Sequence, residues 1–581
     1  MERRLNQWPS KPGDKAPRNL TIWGLIMLYA VATILPTIGL VNLFDWDEIN
    51  FAESAREMVL TGDYLIVQIG FKPFWEKPPL FIWMQAASMH LFGINEFAAR
   101  FPNLVASIAT LFILYQIGKR IQDWKLGILW STFFACSILP AFYFHTGIID
   151  PWFNLFTFLA FVSLHFGAEH KAHYIAAGLF LGLAILTKGP VAALISLLAL
   201  IVRIAMGWRP AKPEITGLLM LTGMATLVGG SWFALLCLYG QSHLIGEFIA
   251  YQIRLFTTPD AGHGGTILYH PTVLLIGCFP AAIPAVGSLF RRDNQPNRFT
   301  LWMKILFWVP LILFSLVTTK IIHYSSLCYF PLTYLAADYI RNKEWKKYQT
   351  TLLLIVGTLI GICLTIIPLV LALAETVDLT SFIRDPFTQQ ILSMNVWWTG
   401  LECMTGSVLL ISLESAYQDI RKQQVQRGMG KILIGTLATL ILCLITIIPN
   451  IEWHLQRSAL HFYKDHAHEK AYIRTLGFKS YADLFYSKTR PENNSRQHPA
   501  EWYLTGDIDK PVYFVTKVTF RNRIKQKYPQ LRKIGEEGGY DFYLRRLEQS
   551  TSRIASPPTE PIKIEKKQPK RLNHKLQNDG N

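Results

Sequence analysis

The sequence predicts an α-helical polytopic membrane protein with about thirteen transmembrane helices and a small α/β soluble domain at its C-terminal end. Of its 581 residues 51% are apolar and only 17% are charged, whereas soluble domains carry roughly a quarter charged residues. Many apolar runs approach the about 20 residues that a helix needs to cross a bilayer. This composition excludes a disordered protein, a collagen and a disulfide-stapled secreted domain.

Apolar runs divide residues 20–449 into the predicted transmembrane domain. The first span covers about residues 20–44, and an external loop at 45–100 follows it. Residues 80–92 are apolar but short, which favours an interfacial helix over a span. The other spans are predicted at approximately 101–118, 127–145, 152–167, 173–187, 190–206, 215–239, 271–290, 300–318, 323–340, 350–373, 396–415 and 432–449.

Lysine and arginine are distributed unevenly over the predicted loops. Residues 1–19 are polar and basic and lack a small-residue cleavage signal, so we expect a cytoplasmic tail. Alternation from that end assigns the basic loops to the cytoplasm, as the positive-inside rule requires. These loops are 119–125, 209–212, 291–298, 341–347 and 421–431. The bias explains much of the net charge of +17, and we predict no nucleic-acid partner.

An odd number of spans places the C-terminal region outside. Residues 450–548 are predicted to form a small α/β domain, in which 511–518 and 539–547 have strand composition and 521–535 has helix composition. Residues 549–581 are rich in Ser, Pro, Lys and Asn, which predicts a disordered basic tail.

Six polar clusters fall at the predicted external membrane face. They lie at 45–58, 73–80, 145–151, 185–190, 254–271 and 318–324. Charged groups at the rim of a membrane domain raise the free energy of the folded protein unless they are paired with opposite charges, hydrated or engaged in function. Six clusters on the same face therefore predict one shared site.

Each cluster also has a purely structural interpretation. The alternatives are solvated loop acids for Asp47 and Glu48, a local salt pair for Glu76 and Lys77, an N-cap for Asp150, snorkelling lysines for Lys188 and Lys320, and a passive loop residue for His263. The placement of all these groups on one face, and not any single residue, favours a functional site.

The chemistry that these residue types favour is a transfer reaction on a lipid-anchored substrate. A carboxylate such as Asp47 can take a proton from an acceptor hydroxyl. Cations can neutralise a departing phosphate, and the candidates are Lys77, Arg254, Lys320, His323 and Lys188. Glu76 and His263 are candidate ligands of a divalent metal such as zinc. The chain has no P-loop, no GxGxxG after a strand and no cytoplasmic DxD cluster, so no nucleotide cofactor is predicted.

The motifs at these positions resemble a known family. In order they are the DE pair at 47–48, EKPPL at 76–80, NEFAARFP at 95–102, TKGP at 187–190, GHGG at 262–265 and a K-x-x-H-Y segment at 320–324. This order resembles the bacterial aminoarabinose-transferase-like family, which is related to the protein O-mannosyltransferases and belongs to the membrane-embedded GT-C glycosyltransferases. The resemblance is strong over about residues 20–340 and weaker to about 450, and the soluble domain has a counterpart in the family.

The resemblance implies a multi-pass protein of the bacterial inner membrane with a cytoplasmic N-terminus, a catalytic face on the periplasmic side and a periplasmic C-terminal domain. It implies a polyprenyl-phosphate sugar donor, usually undecaprenyl phosphate, and transfer with inversion to a lipid (lipid A-like), glycan or protein acceptor. By the family's motifs, Asp47, with Glu48 beside it, and Asp150 are catalytic carboxylates. Glu76 and Lys77 match the family's EK pair, and Glu76 and His263 match its metal ligands.

The sequence departs from the family pattern at three positions. The family often has an arginine and a tyrosine after the acidic pair, where this chain has Asn50 and Phe51, and a tyrosine where this chain has Phe74. Family contacts to the donor phosphate through those groups therefore do not transfer to this chain.

Two other classes of function are compatible with a polytopic membrane protein. A lipid or glycan transporter or flippase would use intramembrane charges to mark a substrate path. A non-catalytic scaffold would bind partners through the C-terminal domain. The concentration of polar groups on one face favours the transferase over the transporter, and a scaffold leaves the DE and EKPP clusters unexplained.

Overall fold

The computed structural model describes residues 17–547 apart from 168, 259–263, 292–296, 343–344, 374–379, 381–382 and 395. The predicted tail at 549–581 and most of the predicted cytoplasmic tail lie outside these residues. A largely helical domain comes first, and a small domain with a mixed four-stranded sheet follows.

The helical domain contains nineteen α-helices within the described residues. They are α1 Asn19–Tyr29, α2 Asp47–Thr61, α3 Leu80–Phe92, α4 Glu96–Ile121, α5 Trp124–Ala135, α6 Ile138–Phe142, α7 Asp150–Phe166, α8 Ala172–Lys188, α9 Val191–Ala205, α10 Lys212–Leu238, α11 Ser242–Thr257, α12 Tyr269–Gly277, α13 Ala282–Leu289, α14 Arg298–Leu316, α15 Tyr329–Arg341, α16 Lys347–Ala372, α17 Pro386–Leu392, α18 Met404–Arg421 and α19 Val425–Asp465.

Five of the described helices, α4, α10, α14, α16 and α19, are long and apolar enough to cross a membrane on their own. A sixth span is formed if α5 and Ile138–His145, which meet at 78°, are taken together. Several predicted spans correspond to shorter helices, such as the 17-residue α7, which extends about 25 Å at 1.5 Å per residue. The 13-residue α3 coincides with the short apolar run at 80–92, which was predicted as an interfacial helix and not as a span. The membrane-protein class is confirmed, and the count of thirteen spans stays a prediction.

Close backbone contacts hold the helices that carry the polar clusters. A Cβ atom on Gly178 of α8 would lie 2.4 Å from the Leu221 carbonyl oxygen of α10. A Cβ atom on Gly127 of α5 would lie 2.4 Å from the Tyr115 carbonyl oxygen of α4. Small residues allow such approach in membrane domains, where packing replaces the hydrophobic effect between helices. The close contact at Gly178 holds α8 against α10, and Lys188 lies at the C-terminal end of α8.

The soluble domain is a four-stranded sheet with short helices. Its strands are β1 Tyr472–Leu476, β2 Val512–Lys517, β3 Arg532–Glu537 and β4 Tyr540–Arg545, in the order β1-β2-β4-β3, with β1 and β2 parallel and the other pairs antiparallel. Its helices are α20 Ala482–Tyr486, α21 Ala500–Thr505 and α22 Arg521–Lys527. The strands predicted at 511–518 and 539–547 are confirmed as β2 and β4.

The helix predicted over 521–535 is correct only in its first half. The helix α22 ends at Lys527, because the residue before Pro529 is disfavoured in helical conformation. The second half is instead the strand β3, which pairs with β4 through a turn at Gly538 and Gly539. Both glycines have positive φ angles, of 54° and 80°, as a tight hairpin turn requires.

The helix α19 runs through the domain boundary predicted at residue 450 and ends at Asp465. The soluble domain that follows packs on the loop after α1, on α2 and on the loop after α2. The Leu43 amide donates to the Tyr486 hydroxyl at 2.7 Å, Arg56 donates to the Thr489 carbonyl oxygen at 2.9 Å, and Asn494 donates to the Gly70 carbonyl oxygen at 2.7 Å.

Candidate active site

A cavity of about 490 Å³ lies where the ends of several helices meet. All six polar clusters contribute lining residues, and the described part of 254–271 does so through Leu255. The titratable lining residues are Asp45, Asp47, Glu48, Glu76, Lys77, Tyr143, Asp150, Lys188, Tyr251, His323, Tyr324 and Lys479. The structure therefore brings together at one site most of the residues that the sequence singled out.

Element ends place the charged groups at the cavity. Asp47 is the first residue of α2 and Asp150 the first residue of α7, so each carboxylate lies at the positive end of a helix dipole. Lys188 is the last residue of α8, where Gly189 ends the helix with a φ angle of 87°. His323 lies in the 3₁₀ turn Ile322–Cys328 between α14 and α15.

His323 connects the two carboxylates. Its Nε2 atom lies 3.3 Å from Oδ2 of Asp47 and 4.0 Å from Oδ2 of Asp150. Because the imidazole lies between two carboxylates, it suits the sharing of a proton with Asp47 better than the binding of a phosphate.

The two carboxylates differ in their surroundings. The Asp150 side chain is 2% exposed, and its Oδ1 atom lies 2.6 Å from Nζ of Lys188 and 3.3 Å from the Ser326 hydroxyl. The Asp47 side chain is 40% exposed. Asp150 and Lys188 thus form a largely buried ion pair in the cavity wall, and Asp47 is the more exposed of the two carboxylates.

Glu76 and Lys77 precede the Pro78-Pro79 pair that leads into α3. Oε2 of Glu76 accepts a hydrogen bond from the Tyr251 hydroxyl at 3.1 Å, and its backbone carbonyl accepts one from Gln252 at 3.2 Å. Nζ of Lys77 lies 5.5 Å from the centroid of the Tyr251 ring, within cation–π range. Burial lowers the pKa of Lys77, against the charges of Glu76 and Asp47.

Glu48 has a different environment from its neighbour Asp47. Its carboxylate accepts two hydrogen bonds from Arg100, both at 2.8 Å, and one each from the backbone amides of Phe44 and Gly147. Burial alone would raise the pKa of Glu48, but the Arg100 charge and these hydrogen bonds hold it below its ordinary value. The geometry therefore assigns Glu48 a positioning role: it holds the start of α2, where Asp47 lies.

Two of the predicted site residues that the structure describes do not line this cavity. Lys320 is 5% exposed, and its ammonium donates to the carbonyl oxygens of Phe314, Ser315 and Val317 at the end of α14. Arg254 lines a neighbouring cavity that shares Glu76 and Tyr251 with this one. His263 lies outside the described residues.

The metal predicted on Glu76 and His263 stays a prediction. Within the described part of the chain no group of three or more His, Cys, Asp or Glu side chains is placed to hold a metal ion. The described half of the pair, Glu76, is engaged by the Tyr251 hydroxyl. The described residues thus do not by themselves form a complete metal site.

Sequence reasoning missed three residues of the site. Arg100 lies in the NEFAAR segment, and its burial in an apolar stretch could have indicated a carboxylate partner. Tyr251 lies on α11 without any local motif. Lys479 belongs to the soluble domain and follows β1, so only the folded arrangement of the two domains brings it to the cavity.

Comparisons with known proteins agree with this architecture. Residues 76–232 match the family described as dolichyl-phosphate-mannose-protein mannosyltransferase. The chain is 28% identical over 342 residues to an undecaprenyl phosphate-alpha-4-amino-4-deoxy-L-arabinose arabinosyl transferase of Shewanella sediminis, which covers 56% of this chain and 60% of that protein. A protein of the same name from an Enterobacter species is 25% identical, over 54% of this chain and 58% of its own length. The chain thus spans about 60% of the length of these curated relatives.

A solved structure shares the fold over nearly the whole chain. The crystal structure of ArnT from Cupriavidus metallidurans bound to undecaprenyl phosphate superposes with a TM-score of 0.71 at 16% sequence identity, covering 93% of this chain and 100% of that one. The apo state gives the same TM-score. These likenesses confirm the GT-C fold and the resemblance that the motifs predict.

Proposed function

We propose that this chain, whose fold and sequence are similar to those of the aminoarabinose-transferase-like GT-C glycosyltransferases, transfers a sugar from a polyprenyl-phosphate donor to an acceptor at the external face of the bacterial inner membrane. The observation that carries the proposal is the one cavity in which Asp47, His323 and Lys77 meet. The names of the relatives and the lipid in the ArnT complex support a polyprenyl-phosphate donor.

The proposed reaction inverts the anomeric carbon. An acceptor oxygen attacks this carbon from the side opposite the phosphate, a bond forms between them, and the bond from the carbon to the phosphate oxygen breaks. The electron pair leaves with the polyprenyl phosphate. If the acceptor is a hydroxyl group, its proton moves to Asp47, with His323 at 3.3 Å as the hydrogen-bonding partner of that carboxylate.

Fixed cations stabilise the leaving group in this mechanism. Negative charge develops on the departing phosphate, and a preorganised cation in a site of low dielectric stabilises such charge more strongly than water does. Lys77 has this role because it lines the cavity and is not part of the Asp150–Lys188 ion pair. The phosphate ester itself activates the sugar, so the reaction needs no nucleotide. If Glu76 and His263 hold a divalent metal, it would supply further positive charge to stabilise the leaving phosphate.

Product analysis tests the proposal. Lipids, lipid A, surface glycans and glycoproteins from membranes with and without the chain are compared by mass spectrometry. We expect one glycoconjugate to lose a sugar mass when the chain is absent, while a polyprenyl-phosphate sugar accumulates. Lys77→Ala should reproduce this loss with a rate lower by on the order of a hundredfold, equivalent to a few kcal/mol of barrier. Lys171→Ala, an exposed lysine between α7 and α8, is the matched control.

Two results contradict the proposal. Identical glycoconjugates in membranes with and without the chain would exclude sugar transfer. Movement of the polyprenyl-phosphate sugar between leaflets without any change in glycoconjugates would favour the transporter hypothesis instead.

A further inference from the structure

The soluble domain has a polar cavity of its own. It has a volume of about 280 Å³ and lies between the segment that joins α19 to β1 and the segment that follows α20. It is lined by residues 466–471, 473, 487–490, 492 and 493, which do not overlap with the lining of the candidate active site. At roughly 30 Å³ per water molecule, the volume corresponds to about nine waters. The cavity therefore suits a small polar group and not a long chain.

Three cationic side chains of this cavity have no protein partner. They are Lys470, Lys488 and Arg490, and within the described part of the chain no acceptor is in hydrogen-bond or ion-pair contact with them. By contrast, Arg496 of the same domain pairs with Asp483 at 2.8 Å. Like charges around one cavity repel each other, and a bound anion would convert this repulsion into attraction.

Two carboxylates also line the cavity, but they do not balance the three cations. Oε2 of Glu469 accepts a hydrogen bond from the Tyr513 hydroxyl at 2.7 Å, and its Oε1 atom lies 3.9 Å from Nε2 of His466. The side chain of Glu492 is exposed. Three cations and two carboxylates leave the lining with a formal charge of +1 when the histidines are counted as neutral. The cavity thus favours an anion.

Lys488 occupies a backbone position that favours glycine. Its φ angle is 51°, in the left-handed region that is unfavourable for residues with a Cβ atom. The Lys488 amide donates to the Phe485 carbonyl oxygen at 3.2 Å, and the Thr489 amide donates to that of Leu484 at 3.0 Å. These two bonds form the Schellman motif that ends α20, in which glycine is the usual residue at the position of Lys488. A lysine there lowers the stability of the helix end, and no described residue pairs with its ammonium to compensate.

The segment that carries Lys488 and Arg490 is held in place by its neighbours. The hydroxyl oxygens of Ser487 and Thr489 lie 2.6 Å apart, and both residues are buried. Arg56 of α2 donates to the Thr489 carbonyl oxygen at 2.9 Å. Because the backbone beside both cations is already ordered, less conformational entropy is lost when a ligand binds to them.

We propose that this cavity is a binding site for a phosphate group, which belongs either to a free phosphate ester or to the headgroup of an anionic phospholipid. The lysine ammonium groups supply point charges, and the Arg490 guanidinium supplies paired N–H donors that match phosphate oxygens. The observation that carries the proposal is the meeting of three unpaired cations at one small cavity, one of them at a backbone position that costs stability. The site is separate from the candidate active site and does not depend on the proposed glycosyltransferase function.

Thermal unfolding of the full chain tests the inference, because a ligand that binds the folded state raises the midpoint of unfolding. The chain in phosphatidylcholine nanodiscs is titrated with glycerol 3-phosphate at constant ionic strength, and the chain in neutral detergent is titrated with phosphatidylglycerol. The variants are Lys488→Gly, Arg490→Gln and Glu492→Gln. The controls are Lys525→Gln, an exposed lysine on α22, and Lys77→Ala, which removes a cation of the candidate active site.

We expect at least one of the two probes to raise the midpoint of wild type. Lys488→Gly and Arg490→Gln should each weaken the apparent affinity by about tenfold, which is 1.4 kcal/mol. Glu492→Gln should strengthen it, because one repelling carboxylate is removed. Lys525→Gln should respond as wild type, and Lys77→Ala should keep the part of the response that Lys488→Gly loses. A response to glycerol 3-phosphate alone identifies a free ester as the ligand, and a response to phosphatidylglycerol alone identifies a lipid headgroup.

Lys488→Gly also separates a binding role from a structural one. Without ligand this variant should unfold at a higher temperature than wild type, since glycine adopts the left-handed conformation without strain. A gain in stability together with a loss of the phosphate response is the result expected of a residue that is retained for binding.

Four results would overturn the inference. The first is a wild-type chain that responds to neither probe, and the second is a full response in both Lys488→Gly and Arg490→Gln. The third is the loss of the whole response in Lys77→Ala, which would assign the phosphate to the candidate active site. The fourth is a lower midpoint of Lys488→Gly without ligand, which would show that the lysine side chain stabilises the fold.

Discussion

Asp47 and Glu48 are adjacent in the sequence, but their surroundings in the structure indicate different roles. Asp47 is 40% exposed at the cavity and contacts His323. Glu48 is 5% exposed and is held by Arg100. A carboxylate with four protein hydrogen-bond donors has little capacity left for a substrate. The acid pair of the motif therefore combines a group for chemistry with a group for positioning.

Asp47→Asn should abolish most activity without unfolding the protein. The amide keeps the shape of the side chain but removes the charge that would accept a proton or orient the acceptor. We expect inserted, folded protein with sugar transfer lower by roughly a hundredfold or more, which is about 2.7 kcal/mol of barrier. Transfer is measured in membranes matched for protein amount. Near wild-type transfer would remove Asp47 from the mechanism and leave the fold unaffected.

Glu48→Gln is the contrasting variant in the same assay. It leaves the Arg100 guanidinium, which is 2% exposed, without its carboxylate, and the loss of one partner of a buried pair typically destabilises a protein by 3–5 kcal/mol. This variant should reduce the amount of folded protein, while the molecules that fold keep a larger share of their turnover than Asp47→Asn does.

The residues of the site were predictable from sequence to different degrees. Asp47, Lys77, Asp150 and Lys188 stand in motifs at element ends, so local patterning was sufficient to place them at one face. Lys320 has the same kind of position, but its ammonium caps the carbonyl groups at the end of α14. Sequence alone does not distinguish a lysine that lines the cavity from one that caps a helix end, because either position gives the ammonium polar partners at the membrane rim.

At the scale of elements, periodicity and turn residues predicted the secondary structure of segments whose residues all favour the same conformation. Strands β2 and β4 were predicted because β-branched and aromatic residues dominate them. The segment 521–535 was predicted as one helix from its charged composition. Pro529 separates α22 from β3, and the Gly538–Gly539 turn after β3 lets this strand pair with β4. The charged residues of β3 are partly exposed, so composition resembles that of a helix surface. Pairing with β4 decides the outcome, and a single segment does not contain that information.

Interactions between elements also make the soluble domain sensitive to pH. Asp483 lies on the short helix α20 and is fully buried, with Arg496 donating to both carboxylate oxygens at 2.8 and 3.0 Å. Burial raises the pKa of Asp483 from 3.8 to about 6, with Arg496 opposing and nearby carboxylates adding to the effect. Between about pH 4 and pH 6, the Asp483 carboxyl is therefore protonated in the folded state and ionised in the unfolded chain.

The stability of the wild-type chain should fall as pH rises through that window. Because the folded state binds more protons there, the free energy of unfolding decreases with increasing pH by up to about 3 kcal/mol from this group, and it levels off above pH 6. Asp483→Asn does not titrate and should show a smaller decrease. Thermal unfolding between pH 4 and 7 measures the difference. Asp507→Asn, an exposed acid of the same domain, should follow wild type. Parallel curves for wild type and Asp483→Asn would contradict the assignment.

At the scale of the whole molecule, the helix α19 connects the membrane domain to the soluble domain. Its 41 residues extend about 62 Å at 1.5 Å per residue, whereas the bilayer with its headgroups is about 40–45 Å thick. The helix therefore has enough length to cross the membrane and to project beyond it. Toward the C-terminal end of α19, Gln456 donates to the Leu43 carbonyl oxygen at 2.9 Å and accepts from the Asp45 amide at 3.2 Å. These contacts hold the loop that leads into Asp47 against α19.

This geometry predicts that the two ends of α19 lie on opposite sides of the membrane. The loop before it carries Arg421 and Lys422, and basic residues beside a span stay in the cytoplasm. The soluble domain at the other end should then be external, on the same side as Asp47.

We expect a membrane-impermeant thiol reagent, applied to spheroplasts, to label Lys525→Cys on α22 and to leave Lys422→Cys unlabelled until the membrane is opened with detergent. Both side chains are exposed, and the unsubstituted chain measures the background from the native cysteines. Labelling of Lys422→Cys in intact spheroplasts, with protection of Lys525→Cys, would reverse the orientation. Labelling of both would mean that α19 does not cross the membrane, and the site would then lack the external face on which the proposed transfer depends.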